Sequence, residues 1–212
     1  MIKLLTVSDK IVPLIHSSRI RERFGDIDLI LSCGDLPYTY LEYIITLLDK
    51  PLYYVRGNHD QDLDPQTINP PSSPLGGFDL HRSNRFQNGL LLAGVEGSIR
   101  YNQKTRFQYT QREMWSHVLS LVPGLFLNRF RQGRFLDIFV THAPPRGIHE
   151  GKDWAHQGIR AFRWLLDVFQ PRYHFHGHVH YYHPDTNTET RLGKTTVINT
   201  YRYRVIELPA VP

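Results

Sequence analysis

The chain opens with short, largely apolar stretches that do not alternate apolar with polar positions. Ile2 to Val7, Leu29 to Leu31 and Leu52 to Val55 each read as a strand buried on both faces. Between them, Leu14 to Phe24 and Tyr40 to Leu48 carry apolar residues at helical spacing. The first sixty residues therefore predict strand, helix, strand, helix, strand, with parallel pairing. Residues 61 to 77 hold Pro65, Pro70, Pro71, Pro74, Gly76 and Gly77, a composition that excludes a regular element and predicts a long surface loop. Leu90 to Val95 and Leu136 to Val140 read as further strands. Thr110 to Leu121 and Ile159 to Phe169 read as helices, the second stopped by Pro171. Tyr173 to Phe175, Thr195 to Asn199 and Arg204 to Leu208 are short strands between turn-rich segments, for which antiparallel pairing is expected. No repeat or linker interrupts the pattern, which predicts a single α/β domain over residues 1–212.

Composition narrows the function classes. At 212 residues and 41% apolar the chain has enough hydrophobic material for a core. Its 25 Lys and Arg against 20 Asp and Glu give a net charge of +5, too mild and too dispersed for a dedicated nucleic-acid arm, so nucleic acid is not indicated as a partner. The lone cysteine, Cys33, excludes an internal disulfide and a multi-cysteine zinc site, and is expected to be a buried, inert thiol. The N-terminal apolar run stops at Ser8-Asp9-Lys10, too short for a secretory core or a membrane span; a cytoplasmic protein without membrane association is expected. Nothing in the sequence bears on oligomeric state.

One abundance stands out chemically. Of 12 histidines, eight (His142, His149, His156, His174, His176, His178, His180 and His183) fall within 42 consecutive positions. Histidine is the commonest metal ligand and titrates near neutrality, so spacing decides what such a cluster means. Ser8-Asp9, Gly34-Asp35, Gly57-Asn58-His59-Asp60, Thr141-His142 and Gly177-His178-Val179-His180 each follow a predicted strand. Asp35 lies 26 positions after Asp9 and Asn58 lies 23 after Asp35, about one strand-plus-helix unit each time, so these groups recur at the same end of the sheet. That is the end at which open α/β sheets bind ligands. Two aspartates, an asparagine and three histidines gathered there would form an oxygen and imidazole cage suited to divalent ions such as Mn²⁺, Fe²⁺ or Zn²⁺, with Mg²⁺ also admitted.

These five segments, in this order, resemble the motifs of the calcineurin-like metallophosphoesterases: Asp-x-His, Gly-Asp, Gly-Asn-His-Asp/Glu, His and Gly-His-x-His. The resemblance runs from Asp9 to His180. It implies a four-layer α/β/β/α sandwich of two mixed sheets and a metal-dependent phosphoric ester hydrolase. Such an enzyme cleaves a small phosphodiester or phosphomonoester with metal-activated hydroxide. By the same resemblance Asp35 would bridge two ions, Asn58, His142 and His178 would complete one, and Asp9 and His180 would hold the other. His59 would stabilise the transition state or protonate the leaving oxygen. The chain departs from the pattern at Ile11, where the first motif has a histidine. If the chain stays extended there, Ile11 points the same way as Asp9 and removes a ligand. His16, His149 and His156 are the nearest substitutes, and use of a single ion is the other outcome. A rival reading follows from Ile11: a metallophosphoesterase fold with a degraded site, serving as a protein-binding scaffold.

Four more residues are candidates for the substrate entrance. Arg146 follows Pro144-Pro145 and offers a forked donor for phosphate; Asp153 and His156 flank Trp154; Tyr38 follows Asp35 closely. His174 and His176 alternate with Phe175 on one strand face and read as structural hydrogen-bonding partners. Arg129, Arg131 and Arg134 read as a solvated helix end.

Overall fold

The computed structural model describes residues 1–60, 72–102, 106–183 and 186–209. The elements, in chain order, are β1 (Ile2–Ser8), α1 (Ile20–Phe24), β2 (Leu29–Ser32), α2 (Tyr38–Leu48), β3 (Leu52–Tyr54), β4 (Gly77–Asp79), β5 (Ser83–Gln87), β6 (Leu90–Val95), β7 (Ser98–Ile99), β8 (Gln108–Tyr109), α3 (Gln111–Gln132), β9 (Ile138–Thr141), α4 (Arg160–Phe169), β10 (Tyr173–His176), β11 (Glu189–Leu192), β12 (Thr195–Asn199) and β13 (Arg202–Leu208). One sheet has the order β13-β1-β2-β3-β4, the other β11-β12-β10-β9-β6-β5, and β7 pairs with β8 apart from both.

Side-chain alternation along the strands builds three separate cores. Leu5, Val7, Ile30, Leu52 and Tyr54 pack under α1 and α2 with Ile20, Leu41 and Ile44. Their strand neighbours Leu4, Leu29, Leu31, Tyr53 and Val55 point the other way, onto Leu90, Leu92, Ile138, Val140 and Phe175 of the second sheet. Leu91, Ala93, Val95 and Phe139 face outward beneath α3 and α4. The order is helix, sheet, sheet, helix, the α/β/β/α arrangement that the resemblance implies. Period-two alternation inside continuous apolar runs is what lets each strand serve two cores.

β1, β2, β3 and β4 are mutually parallel, as are β6, β9, β10 and β12. The parallel pairing expected for the first three strands is present. The antiparallel expectation for the last three is corrected: β12 runs parallel to β10, and β13 crosses to the first sheet and pairs antiparallel with β1. The missing element is β11, a polar edge strand that forms a hairpin with β12 and returns the chain. Two helix expectations also change. Of Leu14 to Phe24, only Ile20–Phe24 is helical. The helix expected to end at Leu121 continues to Gln132, through Pro123. It starts from a capping box between Thr110 and Glu113 and buries Met114, Val118, Leu121 and Leu125. Four such side chains, at about 1.5–3 kcal/mol each, outweigh the cost of roughly 3 kcal/mol for an internal proline. The helix stops at Gly133, which has φ +72°, with Arg129 and Arg131 in its last turn. Most of the proline-rich loop lies outside the described residues, but Gly77, expected to be irregular, begins β4.

Candidate metal centre

The C-terminal ends of the parallel strands of both sheets meet at one place. Asp9 follows β1, Asp35 follows β2, Asn58 and His59 follow β3, His142 follows β9 and His178 follows β10. Three of these six adopt left-handed backbone: Asp9 (φ 63°), Asp35 (φ 56°) and His178 (φ 68°). Non-glycine residues rarely do so, and such backbone concentrates at functional sites.

Backbone amides lock the loops together. The His59 amide donates to Asp35 Oδ1 at 2.8 Å, and the Asp35 amide donates to Asp60 Oδ1 at 2.6 Å. This clasp needs Gly57, because a Cβ there would lie 2.0 Å from Asp35 Oδ1 and 2.5 Å from the Asp35 nitrogen. Across the sheets, the His178 amide donates to both oxygens of Asp9, at 3.0 and 3.1 Å.

The donor inventory of the two central histidines is informative. His142 Nδ1 lies 2.7 Å from the Cys33 carbonyl, which only accepts, so Nδ1 carries the proton. His178 Nε2 lies 2.9 Å from the Ala155 carbonyl and is protonated for the same reason. The remaining nitrogens, His142 Nε2 and His178 Nδ1, face each other at 3.1 Å. Asn58 Oδ1 lies 3.0 Å and Asp35 Oδ2 3.4 Å from His142 Nε2. Asn58 is oriented with its oxygen inward because Nδ2 donates to the Tyr101 hydroxyl at 3.2 Å. Four electron-pair donors thus converge, and single ligand atoms of Asp35, His142 and His178 lie within 4.8 Å of one another. The chemistry of that donor set fits a divalent cation accepting nitrogen and oxygen ligands.

Charge follows geometry. Burial works to raise the Asp35 carboxyl, but the attraction and hydrogen bond of His142, with the His59 amide, overcome it and hold Asp35 at about 2. Burial works to lower His142, and Asp35 reverses it, raising the imidazole to about 9. His178 is lowered to about 4 by burial and by its neighbour His142. Asp60 is raised well above the usual carboxylate range by burial and by Asp35.

Asp9 and His180 form a second pair, with His180 Nε2 3.5 Å from Asp9 Oδ1. They stand outside the 4.8 Å group. Ile11 is exposed, and the extended chain assumed for residues 9–11 is corrected: the backbone turns at Asp9, and Ile11 lines an apolar cavity with Val12, Pro13 and Arg202. Of the substitute histidines, His16 packs edge-on against Tyr40 and Tyr43, and His149 is bonded to His176 and Thr190. His156 lies against the centre, its ring 5.0 Å from that of His178.

His59 Nε2 is 3.2 Å from the Tyr101 hydroxyl, so one tyrosine contacts both Asn58 and His59. Sequence reasoning missed Tyr101: it follows the two-residue strand β7, which carries no periodic signal. Asp153 pairs with His156 at 2.8 Å beside His178. The Arg146 guanidinium is paired with Glu150 at 3.1 Å. Tyr38 is buried at the start of α2 near Tyr54. His174 and His176 lie in the layer facing the helices: His174 stacks on Phe139 and bonds Thr141 Oγ1 at 2.8 Å. Cys33 is buried, and burial pushes its thiol up to about 12.

Comparison with known structures agrees with the fold. One crystal structure superposes with TM-score 0.65 at 14% identity, covering 96% of this chain and 94% of its own. The protein TT1561 of Thermus thermophilus gives TM-score 0.59 at 17% identity, covering 94% of this chain and 89% of that one. GAP50, the anchor in the inner membrane complex of Plasmodium, gives 0.54 at 13% identity, with 94% and 71% covered. At these identities the likeness shows the fold alone. A comparison with curated proteins found no match. The sequence model of the calcineurin-like phosphoesterases matches residues 6–182. That stretch carries every strand end gathered at the centre, and the chain belongs to the calcineurin-like phosphoesterase family.

Proposed function

We propose that the protein is a metal-dependent phosphoesterase acting on a small phosphodiester or phosphomonoester. The observation that carries this is the convergence of four electron-pair donors, with both histidine tautomers set by carbonyls behind them. Asp35, Asn58, His142 and His178 would hold one divalent ion. Asp9 and His180 would hold a second, with Asp35 shared between them. When bound, such an ion supplies Lewis acidity, drawing charge from a phosphoryl oxygen and making water acidic near neutral pH.

The chain's own groups supply the rest. His59, partly exposed and held by Tyr101, is the residue to give a proton to the departing oxygen or to offset charge on the phosphoryl group. His156, with Asp153 behind it, presents an imidazole beside His178, at the border of the centre, where it would orient the ester. Arg146 would reach phosphate only after leaving Glu150, and Tyr38 would act by supporting the Asp35 loop.

Hydrolysis of p-nitrophenyl phosphate and bis-p-nitrophenyl phosphate with Mn²⁺ tests the proposal. Turnover that disappears on chelation and falls at least a hundredfold in His59→Ala and Asn58→Ala is the expected result. The scaffold reading, which the exposed Ile11 favours, predicts no turnover with Mn²⁺, Fe²⁺, Zn²⁺ or Mg²⁺.

A further inference from the structure

His180 connects the centre to a groove that the hydrolytic residues do not use. Its Nε2 faces Asp9, and its ring lies flat on Tyr201, with centroids 4.7 Å apart and planes inclined by 20°. Its Nδ1 is 3.3 Å from the Tyr182 hydroxyl. Beyond these rings is a cavity of about 310 Å³, lined by Tyr181, Tyr182, Asn199, Tyr201, Arg202 and Arg204 among others. A smaller cavity, about 270 Å³, is walled by Ile11, Val12 and Pro13. Arg202 lines both.

Three features of this groove suit a ligand. Tyr182 keeps 71% of its surface in solvent although it sits against two other rings. Arg202 adopts φ +74°, a conformation unfavourable for a side chain of its size, and lies 5.7 Å over the Tyr201 ring. Among the described residues its guanidinium has no hydrogen bond or ion pair. Lys10, Arg202 and Arg204 supply positive charge, and no carboxylate is found among the described residues lining either cavity. The groove therefore offers flat aromatic faces, a cation between them and an apolar shoulder, all next to Asp9. Flat rings attached to negative charge satisfy every one of those features: aromatic faces accept a base without regard to its edge, and arginine complements both ring and phosphate.

We propose that this groove is the nucleoside subsite of the enzyme, holding the base and sugar of a nucleotide ester whose phosphate lies at the Asp35 centre. The assignment rests on the phosphoesterase reading and names its substrate class. Ile11 thereby gains a role of its own: the residue standing where the family motif has an imidazole forms part of the wall against which the nucleoside packs.

The test compares two esters with the same leaving group, thymidine 5′-(p-nitrophenyl phosphate) and methyl p-nitrophenyl phosphate, with Mn²⁺. The wild-type protein should prefer the nucleoside ester in kcat/KM by about a hundredfold. Tyr182→Ala and Arg202→Gln should each reduce that ratio about tenfold, the usual weight of one base-stacking contact. A second arm needs no turnover. Thymidine 5′-monophosphate added to the metal-free protein should shift the ring NMR signals of Tyr182 and Tyr201, with about tenfold weaker binding in Tyr182→Ala. Because Tyr182 is exposed, its truncation leaves the fold in place, which circular dichroism checks. Hydrolysis of both esters at a ratio near one, without ring shifts, overturns the subsite and leaves the phosphoesterase reading standing. Ring shifts that weaken in the variants, without hydrolysis of either ester, support the subsite and overturn the hydrolase.

Discussion

Loading the centre with a divalent ion should expel one proton from the protein at neutral pH. The perturbation is a titration of metal-free protein with Mn²⁺. Two imidazole nitrogens, turned inward because their ring partners face outer carbonyls, stand 3.1 Å apart, with Asp35 and Asn58 oxygens beside them. Without an ion, the favourable occupant of that space is a proton, and Asp35 holds it on His142 up to about pH 9. At pH 7 the site is then about 99% protonated, and the ion must displace that proton. Two pH units correspond to roughly 2.7 kcal/mol, so apparent affinity should be about a hundredfold weaker at pH 7 than above pH 9 and change about tenfold per unit between 6 and 8. His178, lowered to about 4, contributes no second proton. Calorimetry in buffers of different ionisation heat counts the release directly, and about one proton per ion is expected. His142→Asn should abolish it, which separates this proton from one lost by coordinated water. A release near zero in the wild type, or an affinity flat from pH 6 to 8, would refute the donor assignment.

Three further outcomes follow from the same geometry. Gly57→Ala should cost about 1–3 kcal/mol in urea unfolding and abolish Mn²⁺ binding, since the added carbon meets both the carboxylate and the backbone of Asp35. Tyr101→Phe should lower kcat on bis-p-nitrophenyl phosphate roughly fivefold, the weight of one hydrogen bond of about 1 kcal/mol, with KM little changed; an unchanged kcat would remove Tyr101 from the positioning of His59. The metal-free protein should be most stable near pH 6.5. Burial lowers His81, His117, His149, His174, His176 and His178, so the unfolded chain takes up protons first and stability falls as pH drops from about 6.5 towards 4. The raised carboxyls of Asp60 and Glu96 act in the opposite sense but are two groups against six. Above pH 6.5, His142 retains a proton that the unfolded chain has lost, and stability declines towards pH 9. Urea midpoints across pH 4.5 to 9 check both arms, and a midpoint rising steadily to pH 9 would contradict the second.

Burial was legible along the chain because it leaves a local record. Apolar runs such as Leu29 to Leu31 mark strands with two packed faces, and the side chains of such a run do divide between two cores. Edge strands leave no such record: Ser83–Gln87 and Glu189–Leu192 are polar, partly exposed and invisible to an apolar count. Missing Glu189–Leu192 also led to the wrong orientation for its neighbours, since the parallel pairing of Thr195–Asn199 with Tyr173–His176 depends on that hairpin. Helices failed at both extremes. Residues 14–19 have apolar positions but no helix, and residues 122–132 continue past Pro123 because packing across the proline repays it.

By itself the sequence determined which kinds of ligand atom the chain carries and that each stands just beyond a strand, because residue type and strand end are both local properties. It also determined the family, through motif order. Only the tertiary structure decided which nitrogen of each histidine faces the centre, since the carbonyls that settle it belong to Cys33, 109 positions from His142, and Ala155, 23 positions from His178. The same holds for Tyr101 reaching Asn58 and His59 from 43 and 42 positions away, and for the turn at Asp9 that takes Ile11 to the groove. Hydrogen-bond direction depends on which distant backbone group comes to lie behind a ring, and that is known only once the two sheets are packed face to face.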